Sequence, residues 1–288
     1  MLNIAIELHD KTNCFRVPTV GDRSVAVLDL CMAPGAFLRR ALKSMPGSLA
    51  TAVTLPIAQG GHEILLSASL LERIQVHELD LNFLAADMGL IDQEIPDDHP
   101  DKAKFLPLLL NEGCVFDLTI CDGSVQRPHR QIIADYRQDL EPSRLLLMQL
   151  VLAMEHLEPG GTIVFRPHQI DQWETVKPLH QFSNFGKVMA HKPTSSYQVK
   201  SSFYVVVTEV DSTHAEALKS VALWKSTWRA ATLICELEAT AHSAEIDLDS
   251  ERVLNEFGAR LIELGEQVWR VQAEVLGNAN WLKKEAAK

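Results

Sequence analysis

The chain has 288 residues, 47% of them apolar, and its 38 acidic against 27 basic side chains give a formal net charge of −11. That composition can bury a full core in one large domain, or in a domain with an extension, and it argues against a broad basic face replacing phosphate counterions. The longest apolar run, residues 145–153, is interrupted by Gln149 and is too short to span a bilayer, and the first turns carry Glu7 and Asp10, so neither a membrane anchor nor a secretion signal is expected.

Residues 1–24 read as an N-terminal segment, and the apolar run 25–30 predicts the first, buried strand. The stretch Leu28-Asp29-Leu30-Cys31-Met32-Ala33-Pro34-Gly35-Ala36-Phe37 then passes an acid and a Pro-Gly turn before a helix predicted over 37–44. The turn therefore falls at a strand's carboxyl end, where open parallel sheets bind ligands. Gly35 permits backbone angles closed to other residues, and the free N–H groups of a helix start suit a carboxylate or a phosphate. A plain strand-to-helix turn is the competing reading.

Further strands are predicted over 48–55, 74–79, 116–121 and 161–166, with helical stretches between most of them, as in a doubly wound sheet. Residues 140–157 form the clearest crossing helix, stopped by Glu158-Pro159-Gly160-Gly161. Runs 185–190 and 203–210 predict a terminal antiparallel pair, and from Thr213 onward the pattern is helical. In the last helix Leu254, Phe257, Leu261, Leu264, Val268, Val271 and Val275 form an apolar seam that either caps the domain or pairs two copies. Cys14, Cys31, Cys114, Cys121 and Cys235 include no close pair and read as reduced, intracellular thiols, not as disulfides or a metal site. Two local basic groups stand out, Arg127, His129, Arg130 and Arg137, and Lys187, His191, Lys192 and Lys200; solvated surface explains each alone.

Four segments, in order, carry a resemblance to a family. They are Leu28 to Phe37; Phe116-Asp117-Leu118-Thr119-Ile120-Cys121-Asp122-Gly123-Ser124; Leu157-Glu158-Pro159-Gly160-Gly161-Thr162-Ile163-Val164-Phe165-Arg166; and Lys192-Pro193-Thr194-Ser195-Ser196 through Ser202-Phe203-Tyr204. With these the chain resembles the FtsJ-like S-adenosylmethionine-dependent methyltransferases over about residues 25–210. The resemblance implies a Rossmann-like class I methyltransferase fold: α/β, a seven-stranded mostly parallel sheet with an antiparallel last strand, here followed by a helical C-terminal extension from residue 212.

The implied cofactor is S-adenosylmethionine, with S-adenosylhomocysteine as product. Asp29, Ala33, Pro34, Gly35, Ala36 and Phe37 are its expected methionine-side residues, although Ala36 stands where a second glycine is usual. Asp80 is expected at the adenine amino group and Asp122 beside the sulfonium. The second strand lacks the acid that often grips ribose hydroxyls, leaving Thr54 or the 59–63 loop as substitutes.

Ribose 2′-O-methyltransferases of this family use a lysine, aspartate, lysine, glutamate tetrad, and this sequence departs from it. Asp122 matches, Arg166 replaces the second lysine, Ser202 falls at the glutamate, and Lys11 is the sole lysine preceding the glycine turn. An arginine holds or polarises an oxygen but is a poor base. His129 and His168 are further candidates for a base, with surface histidine as the plainer reading, and Trp173, Trp224 and Trp269 read as core. The expected reaction is methyl transfer to a hydroxyl, on RNA ribose or on a small molecule. The alternatives are a cofactor-binding scaffold without transfer, and a non-methylating reaction that uses the bound sulfonium as a fixed charge.

Overall fold

In the computed structural model, residues 1–17, 23–111, 113–125, 133–233 and 239–278 are described, without the side chains of 239–249. Seven strands form one sheet: β1 (Ala26–Leu30), β2 (Leu49–Thr54), β3 (Ile74–Glu78), β4 (Phe116–Cys121), β5 (Leu157–Phe165), β6 (Lys187–His191) and β7 (Tyr204–Val210), in the order β3-β2-β1-β4-β5-β7-β6. All neighbours are parallel except β7, which is antiparallel to both β5 and β6.

The inner strands are near-continuous apolar runs because both faces of the sheet are covered there, and alternate residues serve opposite faces. On β1, Leu28 and Leu30 join one core while Val27 joins the other; on β7, Val205 and Val207 face one way and Val206 the other. The second face is covered by α1 (Leu2–Thr12), which the sequence reading left as an unassigned segment, and α2 (Ala36–Ser44). A single turn, α3 (Ala68–Leu71), leads into β3. The first face is covered by α4 (Glu141–Glu155), α5 (Trp173–Ser183), α6 (Ala215–Leu233) and α7 (Ala239–Gly277). A buried acid in β4, Asp117, is satisfied by Arg23 at 2.6 and 2.7 Å and by the N–H of Ala26 at 2.8 Å.

Two boundaries differ from the sequence reading. The crossing helix ends at Glu155, and β5 begins at Leu157 and runs through Pro159 and Gly160. The proline is tolerated because this end of the strand is exposed and its ladder is irregular there, with register shifts against both β4 and β7. The seam of α7 is shifted by one residue at its start, with Val253, Phe257, Leu261, Leu264 and Val268 buried and Leu254 half exposed. This face packs on α5 and β6, so the seam is occupied within the chain. Trp224 is core, Trp173 packs against it, and Trp269 is exposed.

Candidate active site

The carboxyl ends of β1 and β4 open into a cavity of about 1000 Å³. At the end of β1 the chain reverses sharply: Cys31 has a φ of 89°, and the N–H groups of Cys31 and Met32 both bond Val53 O, at 3.0 and 2.8 Å. Gly35 follows with a φ of 100° and caps α2. A Cβ at Gly35 would fall 2.8 Å from Leu66, so glycine is required by angle and by space. Ala33, Pro34, Gly35, Ala36 and Phe37 all line the cavity.

Asp29 lies beneath this turn, 2% exposed, and has no hydrogen-bond or ion-pair partner among the described residues. Burial, reinforced by the nearby Asp122, holds its carboxyl well above the usual range. Asp80 lines the cavity beyond β3; its Oδ1 accepts from Asn82 N at 2.9 Å, and burial raises its pKa. Thr54 and the loop residues Gln59, Gly61 and His62 also reach the cavity. So does Glu78, the register partner of Thr54, which the sequence reading did not single out. Its signal was available in the doubly acidic Glu78-Leu79-Asp80.

Asp122 follows β4 and is positioned from three sides. Arg166 Nε lies 2.5 Å from its Oδ1, and Tyr204 Oη donates to the same oxygen at 3.1 Å. Arg166 Nη2 donates to Asp122 O at 2.8 Å and to Ser124 Oγ at 2.7 Å. Gly123 N donates to Gln149 Oε1 at 2.8 Å, and a Cβ there would meet Cys31 Sγ at 2.6 Å. Burial raises the pKa of Asp122 against the opposing pull of Arg166 and Tyr204. Tyr204, missed in the sequence as a site residue, is buried and stacks on Phe37 at 5.1 Å. Its signal was its place two residues after Ser202 at the head of β7.

Other candidates fall elsewhere. Lys11 is exposed on the last turn of α1 and does not line the cavity, because that helix turns Ile4, Ala5 and Leu8 inward against α2. Ser202 and His168 meet each other at 3.3 Å outside the cavity lining. Arg127, His129, Arg130 and Cys235 lie outside the described residues. The second basic group is no single solvated face. His191 and Lys192 are buried, and Lys192 Nζ donates to the carbonyls of Ser202, at 2.8 Å, and of Lys200. Burial lowers the Lys192 pKa to about 8. The loop after β6 is further pinned by Glu7 on α1, which accepts from Thr194 N at 2.7 Å and Ser195 N at 3.0 Å. Tyr197 of that loop, with a φ of 63°, lines the cavity beside Arg166.

The strand order and the glycine turn at the end of β1 define a class I methyltransferase fold. A family model described as FtsJ-like methyltransferase matches residues 5–210, from within α1 to the end of β7, and the chain belongs to that family. No curated protein matches. Among solved structures the chain is similar to an O-methyltransferase family protein from Burkholderia thailandensis, at 11% identity and a TM-score of 0.38, covering 72% of this chain and 57% of that one. It is also similar to the SAM-bound amino pentose methyltransferase CalS10 from Micromonospora echinaspora, at 16% identity and a TM-score of 0.30, covering 57% and 49%. A third is the pyocyanin biosynthetic protein PhzM, at 12% identity and a TM-score of 0.36, covering 72% and 54%. The chain spans about half the length of these proteins.

S-adenosylmethionine is the cofactor of this family and of this chain. The residues present fit it: a buried, unpartnered carboxylate at the cavity floor suits a cationic amino acid end, and the side-chain-free Gly35 leaves room at the turn. Among the described residues no group of three or more His, Cys, Asp or Glu side chains is arranged to hold a metal, and no helix is long and apolar enough to cross a membrane.

Proposed function

We propose that this chain transfers a methyl group from S-adenosylmethionine to the hydroxyl of a small acceptor that ionises readily. Asp29 receives the ammonium of the methionine end, and the backbone of Ala33 to Gly35, with Ala36 and Phe37, cradles that end. Thr54 and Glu78 take the ribose hydroxyls, and Asp80 accepts from the adenine amino group. The methyltransferase domain takes in α1 and runs to the end of β7, and α6 and α7 form a helical extension. When bound, the cofactor supplies an electrophilic methyl group on a sulfonium, and most of the acceleration comes from alignment in the closed site.

The observation that carries the acceptor class is the surrounding of Asp122. Its partners are an arginine and a tyrosine, and among the described residues Lys104 is the one lysine lining the cavity, already paired with Asp101 at 2.7 Å. Nothing on these residues supplies the lysine that a ribose hydroxyl calls for. Arg166 keeps its proton, fixes Asp122 and polarises the acceptor oxygen. Asp122 Oδ2, without a partner among the described residues, orients the acceptor and takes its proton. The lining also carries more acids (Asp29, Glu78, Asp80, Asp122, Glu141) than cations (Lys104, Arg137, Arg166), which favours a cationic cofactor and disfavours a polyanion.

The test is calorimetric titration of the cofactor-stripped protein with S-adenosylmethionine and S-adenosylhomocysteine, followed by radiolabel transfer to a panel of phenols, catechols and carboxylic acids and to total RNA. Micromolar binding lost in Asp80→Ala, with transfer to a small acceptor lost in Asp122→Ala, is expected. Transfer to RNA with a steep salt dependence would replace this acceptor reading with the ribose one. Tight binding with no transfer to anything would favour the scaffold reading.

A further inference from the structure

The cavity wall that carries Asp80 is a short turn held from behind by the helical extension. Thr232 on α6 accepts from Arg144 Nε at 3.0 Å and donates to Trp228 O at 2.8 Å. The Arg144 guanidinium lies over the Trp228 ring at 5.1 Å. Its Nη1 donates to Glu141 Oε2 at 2.7 Å and its Nη2 to Asn82 O at 3.3 Å. Glu141 Oε1 in turn accepts from Asn82 Nδ2 at 3.1 Å and from Arg137, which is anchored on Asp101 at 2.8 Å. Asn82 N donates to the Asp80 carboxylate at 2.9 Å. A continuous line of contacts thus runs from α6 to a carboxylate on the cavity wall.

Arg144 is 0% exposed, and Thr232, Glu141 and Asn82 are 2%, 2% and 4% exposed. Water cannot stand in for a lost partner here, so the orientation of the turn depends on the complete set. Among the described residues the planar fork of Arg144 touches the extension, Glu141 and the turn together, and a lysine could not span all three. Thr232 is fixed independently, because its carbonyl oxygen lies 2.9 Å from His99 Nε2.

We infer that Thr232 and Arg144 are positioning residues for the nucleobase edge of the cofactor pocket, so that the helical extension sets how well the pocket distinguishes a 6-amino from a 6-oxo purine. This rests on the reading of Asp80 as the acceptor of the adenine amino group. The extension is then a working part of the site, although none of its described residues lines the cavity.

The experiment titrates the full chain with S-adenosylhomocysteine and with its 6-oxo, inosyl analogue. The wild type is expected to prefer the amino compound by about tenfold or more, because a site built to accept a hydrogen bond rejects an analogue lacking the donor. Thr232→Val keeps the shape and removes the bond to Arg144. It should weaken the amino compound severalfold, leave the inosyl compound unchanged and lower the melting temperature by a few degrees, because Arg144 Nε loses its buried acceptor. Thr232→Ser should restore the preference, Arg144→Lys should lose it, and in an Asp80→Ala background Thr232→Val should have no further effect. A wild type that binds neither compound would overturn the cofactor reading itself. Equal binding of both by the wild type would overturn the role of Asp80, and the inference with it. A preference retained in both Thr232→Val and Arg144→Lys would overturn the inference alone. Loss of folding in both variants would do the same, since the contact would then hold the whole domain.

Discussion

Replacing Asp29 by asparagine should make the ligand-free protein more stable while weakening its hold on the cofactor. The carboxylate is 2% exposed, has no partner among the described residues and lies near Asp122, so ionising it in the folded state is unfavourable. Well below pH 4, near pH 3 or under, the side chain is mostly neutral in folded and unfolded chains alike, and the two proteins should melt together. As pH rises, the unfolded chain ionises Asp29 freely while the folded one resists. Wild-type stability therefore falls relative to the variant until the raised pKa is passed, and the gap is then constant. The variant's amide is just as unpartnered, so the difference is the cost of burying the charge alone, and each kcal/mol of it should raise the variant's melting temperature at pH 8 by about 2 °C.

S-adenosylhomocysteine works against that order, favouring the wild type by about 1.3 kcal/mol. At a hundredfold excess over its dissociation constant it should add about 2.7 kcal/mol to the wild type, and only about half of that to a variant whose affinity is tenfold lower. Thermal unfolding at about pH 3 and at pH 8, with and without the ligand, reads all four states. A variant less stable than wild type at pH 8 without ligand would show that Asp29 has a structural partner. An undiminished ligand shift in the variant would remove Asp29 from the ammonium site.

Two further substitutions test the turn and the cap. Gly35→Ala adds a left-handed penalty of about 1–2 kcal/mol to a contact at 2.8 Å with Leu66, and should lower both the melting temperature and the affinity for S-adenosylhomocysteine; an unchanged titration would refute the cradle. Phe257→Ala empties a position on α7 that is 4% exposed and packs near His180, and should cost about 3–5 kcal/mol in chemical denaturation without changing cofactor affinity in the remaining folded protein; a loss below about 1 kcal/mol would mean that α7 does not share the core.

The parts of this molecule legible in the sequence are those that repeat or that carry a local signature. The central strands could be read because they are apolar runs buried on both sides, and the turn at Gly35 because its angle demands a particular residue. The wall between β3 and β4 was not legible. It is built from single 3₁₀ turns such as Leu81–Phe83 and Lys102–Lys104, which are too short to show a period. Its Asp101 gains meaning only when it meets Arg137, paired in turn with Glu141, from beyond β4. Lys11 failed for a related reason, since separation along the chain says nothing about which way a helix turns its faces. Arg166 was visible as a departure from the family's lysine, but its grip on both Asp122 and Ser124 is a property of the folded pair of strands.

The packing of α7 bears on more than the site. β6 is the outermost strand, and its outward Val188 carbonyl is taken by Arg260 Nη2 of α7 at 2.8 Å. A strand edge left open is a template for pairing with another chain, so this helix acts as a guard against edge-to-edge aggregation. The opposite edge, β3, has exposed Gln75 and Glu78 to discourage such pairing, whereas β6 relies on its cover. During synthesis the sheet is complete once β7 has emerged, yet β6 stays adhesive until α7 has followed it. A nascent chain paused between the two is the species for which a chaperone matters most.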